Sequence, residues 1–320
     1  MKLTLPSRLH FGASLKAVVL HLEGDVKCSA VIDDAIVTLS RLPLLKKLSL
    51  HLPAYLPELS LSSLAFAPQL REFSCAAAED PDEDEDDEDA DWHPTKLQLD
   101  QLRMMPQLRR MDSSLSRDDL SYLLRAPHSL QWQEIPEVRD VDDEVVTSSA
   151  FPTLTKLVTS RCRTVAFLPM FTSLRSLSLW MNSPARLAAE IVTGLSYCSQ
   201  LTELTLRNAH DVTAQHLSQA LPHLPELREL SLMFCSSLAS LSFLAECAGL
   251  SQSLQSLMLT ACRSPALRAT ELKHVMTLKS LAKLGLHSSF VEPLDVFSQH
   301  FLTPPSAVLP SLVQFTYYSD

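Results

Sequence analysis

The chain has 320 residues, of which 46% are hydrophobic and 20% charged, so it can bury a substantial core. Its net charge of −10 comes from one tract, residues 79 to 91, in which eleven of the thirteen residues are Asp or Glu. Removing those eleven leaves 26 of the 37 acidic residues, against 27 basic ones. The near-neutral remainder excludes the broadly basic surface that binds nucleic acid.

Hydropathy and cysteine usage indicate the compartment. No apolar run approaches the roughly 20 residues that a membrane-spanning helix needs, and the first 14 residues lack the apolar core of a secretion signal. The seven cysteines form no CxxC pair, which favours reduced thiols over a disulfide framework. We therefore expect a soluble protein of the cytoplasm or nucleus that makes no contact with a membrane.

A leucine repeat organises the whole chain. Segments that match or approximate L-x-x-L-x-L begin at Leu15, Leu45, Leu70, Leu108, Leu130, Leu154, Leu174, Leu201, Leu227, Leu254, Leu281 and Leu312. Their mean spacing is 27 residues, and the longest spacing, 38 residues between Leu70 and Leu108, contains the acidic tract. The tract is therefore predicted to be an insertion between the third and fourth repeats.

Alternation within each repeat predicts a short strand whose leucines point inward while the intervening residues face outward. One such strand cannot bury its apolar side alone, so consecutive units must stack into a parallel sheet. The predicted fold is an α/β solenoid, a curved horseshoe of about twelve repeats. Its parallel sheet lines the concave face, and helices and short turns cover the convex face.

The segments between strands differ in length. Helices are predicted over residues 184 to 195, with Pro184 in the first turn, and over residues 211 to 221, with Asp211 as the N-cap. The spacings of 20 to 24 residues between Leu108 and Leu174 are too short for a full helix and predict turns or 3₁₀ segments.

The repeats imply one long domain. We expect residues 15 to 320 to form a single repeat domain, interrupted by the insertion at residues 79 to 91, with residues 1 to 14 as an N-terminal flank or an improvised cap. Because solenoids usually need polar caps, uncapped ends could also pair with a second molecule and form an oligomer.

Two segments carry a family resemblance, LRELSLMFCSSL at 227 to 238 and LTELTLRNAHDV at 201 to 212, which has Ala209 in place of the cysteine. The chain resembles leucine-rich repeat proteins of the ribonuclease-inhibitor-like group. Its cysteine-containing repeats are similar to those that follow the F-box in ubiquitin-ligase substrate receptors. The resemblance implies a protein-binding scaffold and substrate recognition for ubiquitination. An F-box would precede the repeats, and the first repeat at Leu15 leaves no room for one.

The cysteines have a structural explanation. Cys162, Cys235 and Cys262 each lie eight residues after the first leucine of a repeat, the position that Asn182 occupies in another repeat. We expect this column to turn inward and satisfy backbone groups in the loop, rather than to bind metal or act as a nucleophile. No phosphate-binding glycine loop, serine elbow or zinc-binding histidine pair occurs. We therefore predict no enzyme activity, catalytic residue, cofactor or metal.

The outward positions at the strand ends are the candidate contacts. The residues there that combine large contact area with a polar or polarisable group are Trp180, Met181, Arg207, Met233, Phe234 and His287. Met181 and Phe234 could instead pack into the loops above the sheet. The residues at the strand starts suggest charge pairing between neighbouring repeats as readily as partner recognition, and they are Lys47, Glu72, Arg110, Lys156, Glu203, Glu229 and Lys283.

Three functions remain open on sequence grounds. The first is a non-catalytic scaffold that binds a protein or peptide on its concave face, as in substrate recognition for a ubiquitin ligase. The second is an enzyme regulator, either an inhibitor or a GTPase-activating leucine-rich repeat protein. The third is a binder of basic proteins through the acidic tract, with contacts from Asp82, Glu83, Asp84, Glu85, Asp86, Asp87, Glu88 and Asp89. Solvation is the simpler role for so dense a tract.

Deletion of residues 79 to 91 tests whether the tract is needed for the fold. We expect the circular dichroism spectrum and the binding of partners to the repeats to survive, because the tract has no large apolar residue to bury. Solubility should fall, because the tract supplies the net charge. A collapsed spectrum would show instead that the tract is structural.

Overall fold

The computed structural model describes residues 14–21, 29–52, 59–77, 94–105, 107–112, 115–116, 118–119, 122, 134–139, 153–181, 187–262, 268–287 and 309–318. The chain divides into two compact units. The first comprises residues 1–139 with 147–154, and the second comprises residues 140–146 with 155–320. Residues 1 to 13 and the whole acidic tract lie outside the described residues, so the roles predicted for them remain predictions.

The first unit contains a parallel sheet whose strands follow the order of the chain. Its strands are β1 (Ala17–His21), β2 (Lys47–Leu52), β3 (Glu72–Ala77), β4 (Arg110–Asp112) and β5 (Glu134–Arg139). Between them lie α1 (Ser29–Ser40), a 3₁₀ turn (Ser62–Phe66) and α2 (Lys96–Arg103). The acidic tract falls in the chain between β3 and α2.

The second unit repeats this plan with seven strands, again parallel and in chain order. They are β6 (Lys156–Cys162), β7 (Ser176–Met181), β8 (Glu203–Arg207), β9 (Glu229–Met233), β10 (Ser256–Thr260), β11 (Lys283–His287) and β12 (Gln314–Tyr318). The described helices are α3 (Leu187–Leu195), α4 (Ala214–Ala220), α5 (Phe243–Glu246), α6 (Leu250–Ser253) and α7 (Leu272–Val275), with 3₁₀ turns at Leu168–Met170, Leu221–His223 and Ala269–Glu271.

Alternation along each strand separates the core from the open face. In β8, Leu204 and Leu206 are fully buried, while Glu203, Thr205 and Arg207 lie on the other side of the sheet. Burial of one leucine contributes about 2 kcal/mol, and the neighbouring repeats supply the packing partners. This architecture confirms the prediction of a leucine-rich repeat solenoid with a parallel sheet and outer helices and turns.

Polar side chains also join successive repeats by reaching back to the loop of the repeat before. Glu271 Oε2 accepts hydrogen bonds from the Ser240 hydroxyl at 2.7 Å and from the Leu241 N–H at 2.9 Å. Glu190 Oε2 makes the same pair of bonds with Thr164, at 3.0 Å, and with the next amide. These carboxylates satisfy loop donors that the strand ladder does not reach, and the leucine pattern gives no sign of them.

The outer segments confirm the predicted helices with one correction. A helix forms at the second predicted site, but its N-cap is Thr213, not Asp211. The Thr213 hydroxyl accepts from the His216 N–H, and the His216 ring accepts from the Thr213 N–H, which completes a capping box. The short spacing after Leu154 does contain a 3₁₀ turn, as predicted. Pro184 lies outside the described residues.

The fifth repeat is in a different register from the one its leucine predicts. Counting from Leu130 would place Trp132 opposite Arg110, but the register pairs Arg110 with Glu134. The repeat therefore starts two residues later than predicted. Leu130 is the wrong anchor because pairing with the preceding strand, rather than the first leucine in the window, sets the register.

The hydrogen bonds of Glu271 make the stability of the fold depend on pH. Burial acts to raise the pKa of this carboxyl group, but the hydrogen bonds from Ser240 and Leu241, together with the positive charges of His274 and Lys273, outweigh burial and lower it below its ordinary value of 4.5. A carboxyl group whose pKa is lower in the folded chain stabilises the fold above its unfolded pKa. That contribution is lost as the pH falls below about 4.5 and through the folded value.

Replacing Glu271 tests this link. Glu271→Ala should lower the free energy of unfolding at pH 7 by about 1 to 3 kcal/mol, because it leaves the Leu241 N–H without an acceptor. Glu271→Gln should lose less stability between pH 7 and pH 3.5 than the wild type does in urea unfolding. Glu226→Gln, at an exposed position in a turn, is the control. Identical acid sensitivity of Glu271→Gln and wild type would contradict the assignment.

Candidate functional site

The open face of the sheet in the second unit has three rows of positions, one residue from each strand in register. In β7 to β11 the start row is Ser176, Glu203, Glu229, Ser256 and Lys283, the middle row is Ser178, Thr205, Ser231, Met258 and Gly285, and the end row is Trp180, Arg207, Met233, Thr260 and His287. The end row, at the carboxyl ends of the strands, holds most of the predicted contacts.

Arg207 stacks on aromatic rings from both neighbouring repeats. Its Cζ lies 4.1 Å from the centroid of the Trp180 ring and 5.7 Å from that of the Phe234 ring. Cation–π attraction at these distances holds the guanidinium group between the two rings. The Nε atom of Arg207 is buried and has no hydrogen-bond partner. The described residues include no ion pair of this guanidinium group, so its positive charge is available to a ligand.

A left-handed backbone residue recurs directly after three strands, β8, β9 and β10, and within the bulge of β6. The residues that occupy left-handed backbone conformations are Arg161 (φ 51°), Asn208 (φ 56°), Phe234 (φ 55°) and Ala261 (φ 49°). The N–H of Asn208 donates to the Met233 carbonyl at 2.9 Å, and that of Phe234 to the Thr260 carbonyl at 2.8 Å. Asn tolerates this conformation, whereas a bulky residue such as Phe pays a steric cost there.

Four of the six predicted contacts lie on or beside the end row with accessible side chains. Trp180 and Phe234 are both 38% exposed, and Arg207 and Met233 are half-buried. Met181 is different, because it is only 3% exposed and packs into the core. It is therefore unsuited to the contact role predicted for it. The side chain of His287 and the acidic residues 82 to 89 lie outside the described part of the chain.

Arg161 is a residue of this surface that the sequence pattern missed. The register of β6 and β7 shifts between Thr159 and Cys162, so that two residues of β6 oppose the single residue Trp180. Arg161 is the exposed member of that bulge. A strict repeat of leucines contains no signal for an extra residue, so the second cation beside Trp180 could not be placed from sequence.

The start row carries two carboxylates side by side. Glu203 and Glu229 are exposed and occupy paired positions on adjacent strands, flanked in the row by Ser176 and Ser256. In the first unit Lys47 and Glu72, at equivalent positions, form the predicted cross-strand ion pair at 3.7 Å. No ion pair of either Glu203 or Glu229 occurs within the ranges that the structure describes, so the charge pairing suggested for this row is not found at these two positions.

The cysteine column turns inward. The Cys235 thiol lies near the carbonyls of Leu206 and Met233, and the Cys262 thiol donates to Leu232 O at 3.3 Å. A hydrogen bond to Cys262, followed by burial, raises the pKa of Cys235, and burial raises that of Cys162 to about 12. The three predicted positions therefore pack as the structural explanation requires.

No set of three or more His, Cys, Asp or Glu side chains among the described residues converges as metal ligands. No helix among those residues is long and apolar enough to cross a membrane.

Comparison with known proteins does not assign the chain to a family. No protein-family model matches the sequence, and no curated protein matches it. Among solved structures, the chain is similar to an internalin from Listeria monocytogenes, with 14% identity over 96% of this chain and 88% of that chain and a TM-score of 0.43. It is also similar to a Rad7–Elc1 complex from yeast, with 14% identity over 89% and 82% and a TM-score of 0.40. With scores this low, the fold assignment rests on the strand register of the chain itself.

Two single substitutions at equivalent positions of neighbouring repeats test whether the Phe234 ring stabilises the fold. Phe234→Asn should leave the free energy of unfolding unchanged or raise it by up to about 1 kcal/mol, because Asn suits the left-handed backbone better. The reverse change at the equivalent position, Asn208→Phe, should lower it by about 1 kcal/mol. A loss above about 2 kcal/mol for Phe234→Asn in denaturant unfolding would show that the ring holds the loop together.

Proposed function

We propose that this chain is a non-catalytic protein-interaction scaffold that binds a protein or peptide partner on the open face of the strands of its second unit. The observation that carries the proposal is the stack of Trp180, Arg207 and Phe234 beside Met233 at the carboxyl end of the strands. Trp and Arg are enriched at binding hot spots because they combine a large contact area with a polar or charged group.

The cost of this cluster to the folded chain supports a role in binding. Phe234 occupies a strained backbone conformation, yet its ring remains partly exposed, so burial does not offset the strain. Arg207 keeps a buried Nε without an acceptor, which also costs free energy. Two unfavourable features around one exposed stack are typical of a site selected for contact with another molecule rather than for stability.

The finer role we propose is substrate recognition in a ubiquitin-ligase context, in the cytoplasm or nucleus. It rests on the resemblance of two repeats, 227 to 238 with Cys235 and 201 to 212 with Ala209 in place of the cysteine, to the cysteine-containing repeats of F-box substrate receptors. The six cysteines among the described residues, all reduced and buried, fit a reducing compartment. Co-purification with a cullin adaptor would support this role, and its repeated failure under conditions that recover other partners would exclude it.

A double substitution tests the binding surface. Trp180→Ala with Met233→Ala should abolish recovery of partners in affinity purification followed by mass spectrometry, because it removes both apolar contacts that flank Arg207. The thermal midpoint should stay within about 3 °C of wild type, because neither side chain belongs to the fully buried core.

The control removes similar side chains elsewhere. Phe66→Ala with Met104→Ala deletes an exposed aromatic residue and an exposed methionine from the segments between strands of the first unit. Partners should be retained by this variant. Equal recovery by the two double variants would mean that the end row is not the binding surface.

A further inference from the structure

We infer that the partner segment is an extended peptide that bears an acidic residue and, four positions away, a basic residue. The peptide lies over β8 and β9 and runs along their strand direction. The inference rests on the proposed function, because it specifies the chemistry of the partner at the same surface. The observations behind it are the opposite charges at the two ends of these strands and the small side chains between them.

The carboxyl end of the strands is the positive end. Arg207 on β8 lies beside Trp180 in the end row, and the end row of β7 to β11 contains no acidic residue. The Trp180 and Phe234 rings already orient the guanidinium group of Arg207, so a carboxylate binds without further ordering of that side chain. Apolar groups beside the partner's carboxylate would pack on Trp180 and Met233.

The amino end of the strands is the negative end. Glu203 and Glu229 repel each other across paired positions, and the described residues supply no cation to either carboxylate. Like charges directly opposite on neighbouring strands destabilise a sheet, so a lysine or arginine from a partner would relieve the repulsion. The equivalent position in the first unit is satisfied internally by Lys47 and Glu72 and offers no such vacancy.

The spacing of the two ends selects the length of the segment. Glu203 and Arg207 are four residues apart on one strand, which corresponds to about 13 Å. In an extended peptide, residues i and i+4 are separated by the same distance and point to the same side. The residue midway between them faces Thr205 and Ser231, so it meets a small, polar floor.

Selection from a phage-displayed library of random dodecapeptides on the immobilised full chain tests this inference. We expect enrichment of peptides with an acidic and a basic residue four positions apart. An enriched peptide, synthesised with a fluorescein label, should bind the wild type more weakly at 500 mM than at 50 mM NaCl in anisotropy titrations. Arg207→Gln should lower the affinity for this peptide about tenfold. This loss of affinity should vanish when the acidic residue of the peptide is replaced by Gln or Asn.

Charge reversal gives the opposite arm of the test. Glu203→Lys with Glu229→Lys should also lower the affinity for the peptide about tenfold. Replacing the basic residue of the peptide by Glu should restore binding to this variant. Glu226→Lys, with the same change of charge per residue in an exposed turn before β9, should alter affinity less than twofold.

The outcomes separate this inference from the proposed function. Enriched peptides that need Trp180 and Met233 but show no charge pattern would overturn the inference and leave the scaffold function standing. Failure to enrich any peptide, together with unchanged partners for Trp180→Ala with Met233→Ala, would overturn both. A second copy of the chain is the competing occupant, and a dimer by light scattering that Arg207→Glu dissociates would overturn the inference in favour of self-association.

Discussion

The structure depends on one constraint, that a five-residue strand with two inward leucines cannot bury them without a neighbour. Stacking solves this for every repeat at once, and the parallel hydrogen-bond ladder then brings equivalent residues of successive repeats side by side. Leu204 and Leu206 lie beside Leu230 and Leu232 for this reason, and so do Arg207 and Met233 on the other face. The order of the core therefore sets the order of the surface.

Much of the fold could be predicted because leucine spacing reports the strands directly. Strands start two residues after Leu201 and Leu227, as the pattern requires. The errors arose where local chemistry offers near-equivalent choices. Leu130 is one of several apolar residues in its window, and pairing with the preceding strand decides which of them starts the repeat. Asp211 and Thr213 can both cap a helix, and the hydrogen bond from the Thr213 N–H to the His216 ring selects Thr213.

The candidate surface was predictable to the level of rows and no further. Period-two alternation places Trp180 and Arg207 on the open face, but it does not reveal that their side chains stack. Met181 follows Trp180 directly and is also a large apolar residue, yet alternation along the strand turns its side chain into the core. Arg161 enters the surface only through a bulge. The acidic residues divide in a similar way, because Glu190 and Glu271 satisfy loop amides while Glu203 and Glu229 face outward.

The left-handed turns have a consequence for the thermodynamics of association. Two of these residues, Asn208 and Phe234, donate their N–H to the last carbonyl of the following strand, so they tie the rim of one repeat to the next. A rim tied in this way has little backbone freedom left to lose when a ligand arrives. The entropy that flexible recognition loops forfeit on binding is here lost once, during folding. Affinity can therefore come from few contacts, and a ligand that is out of register has no means of adjusting the surface to itself.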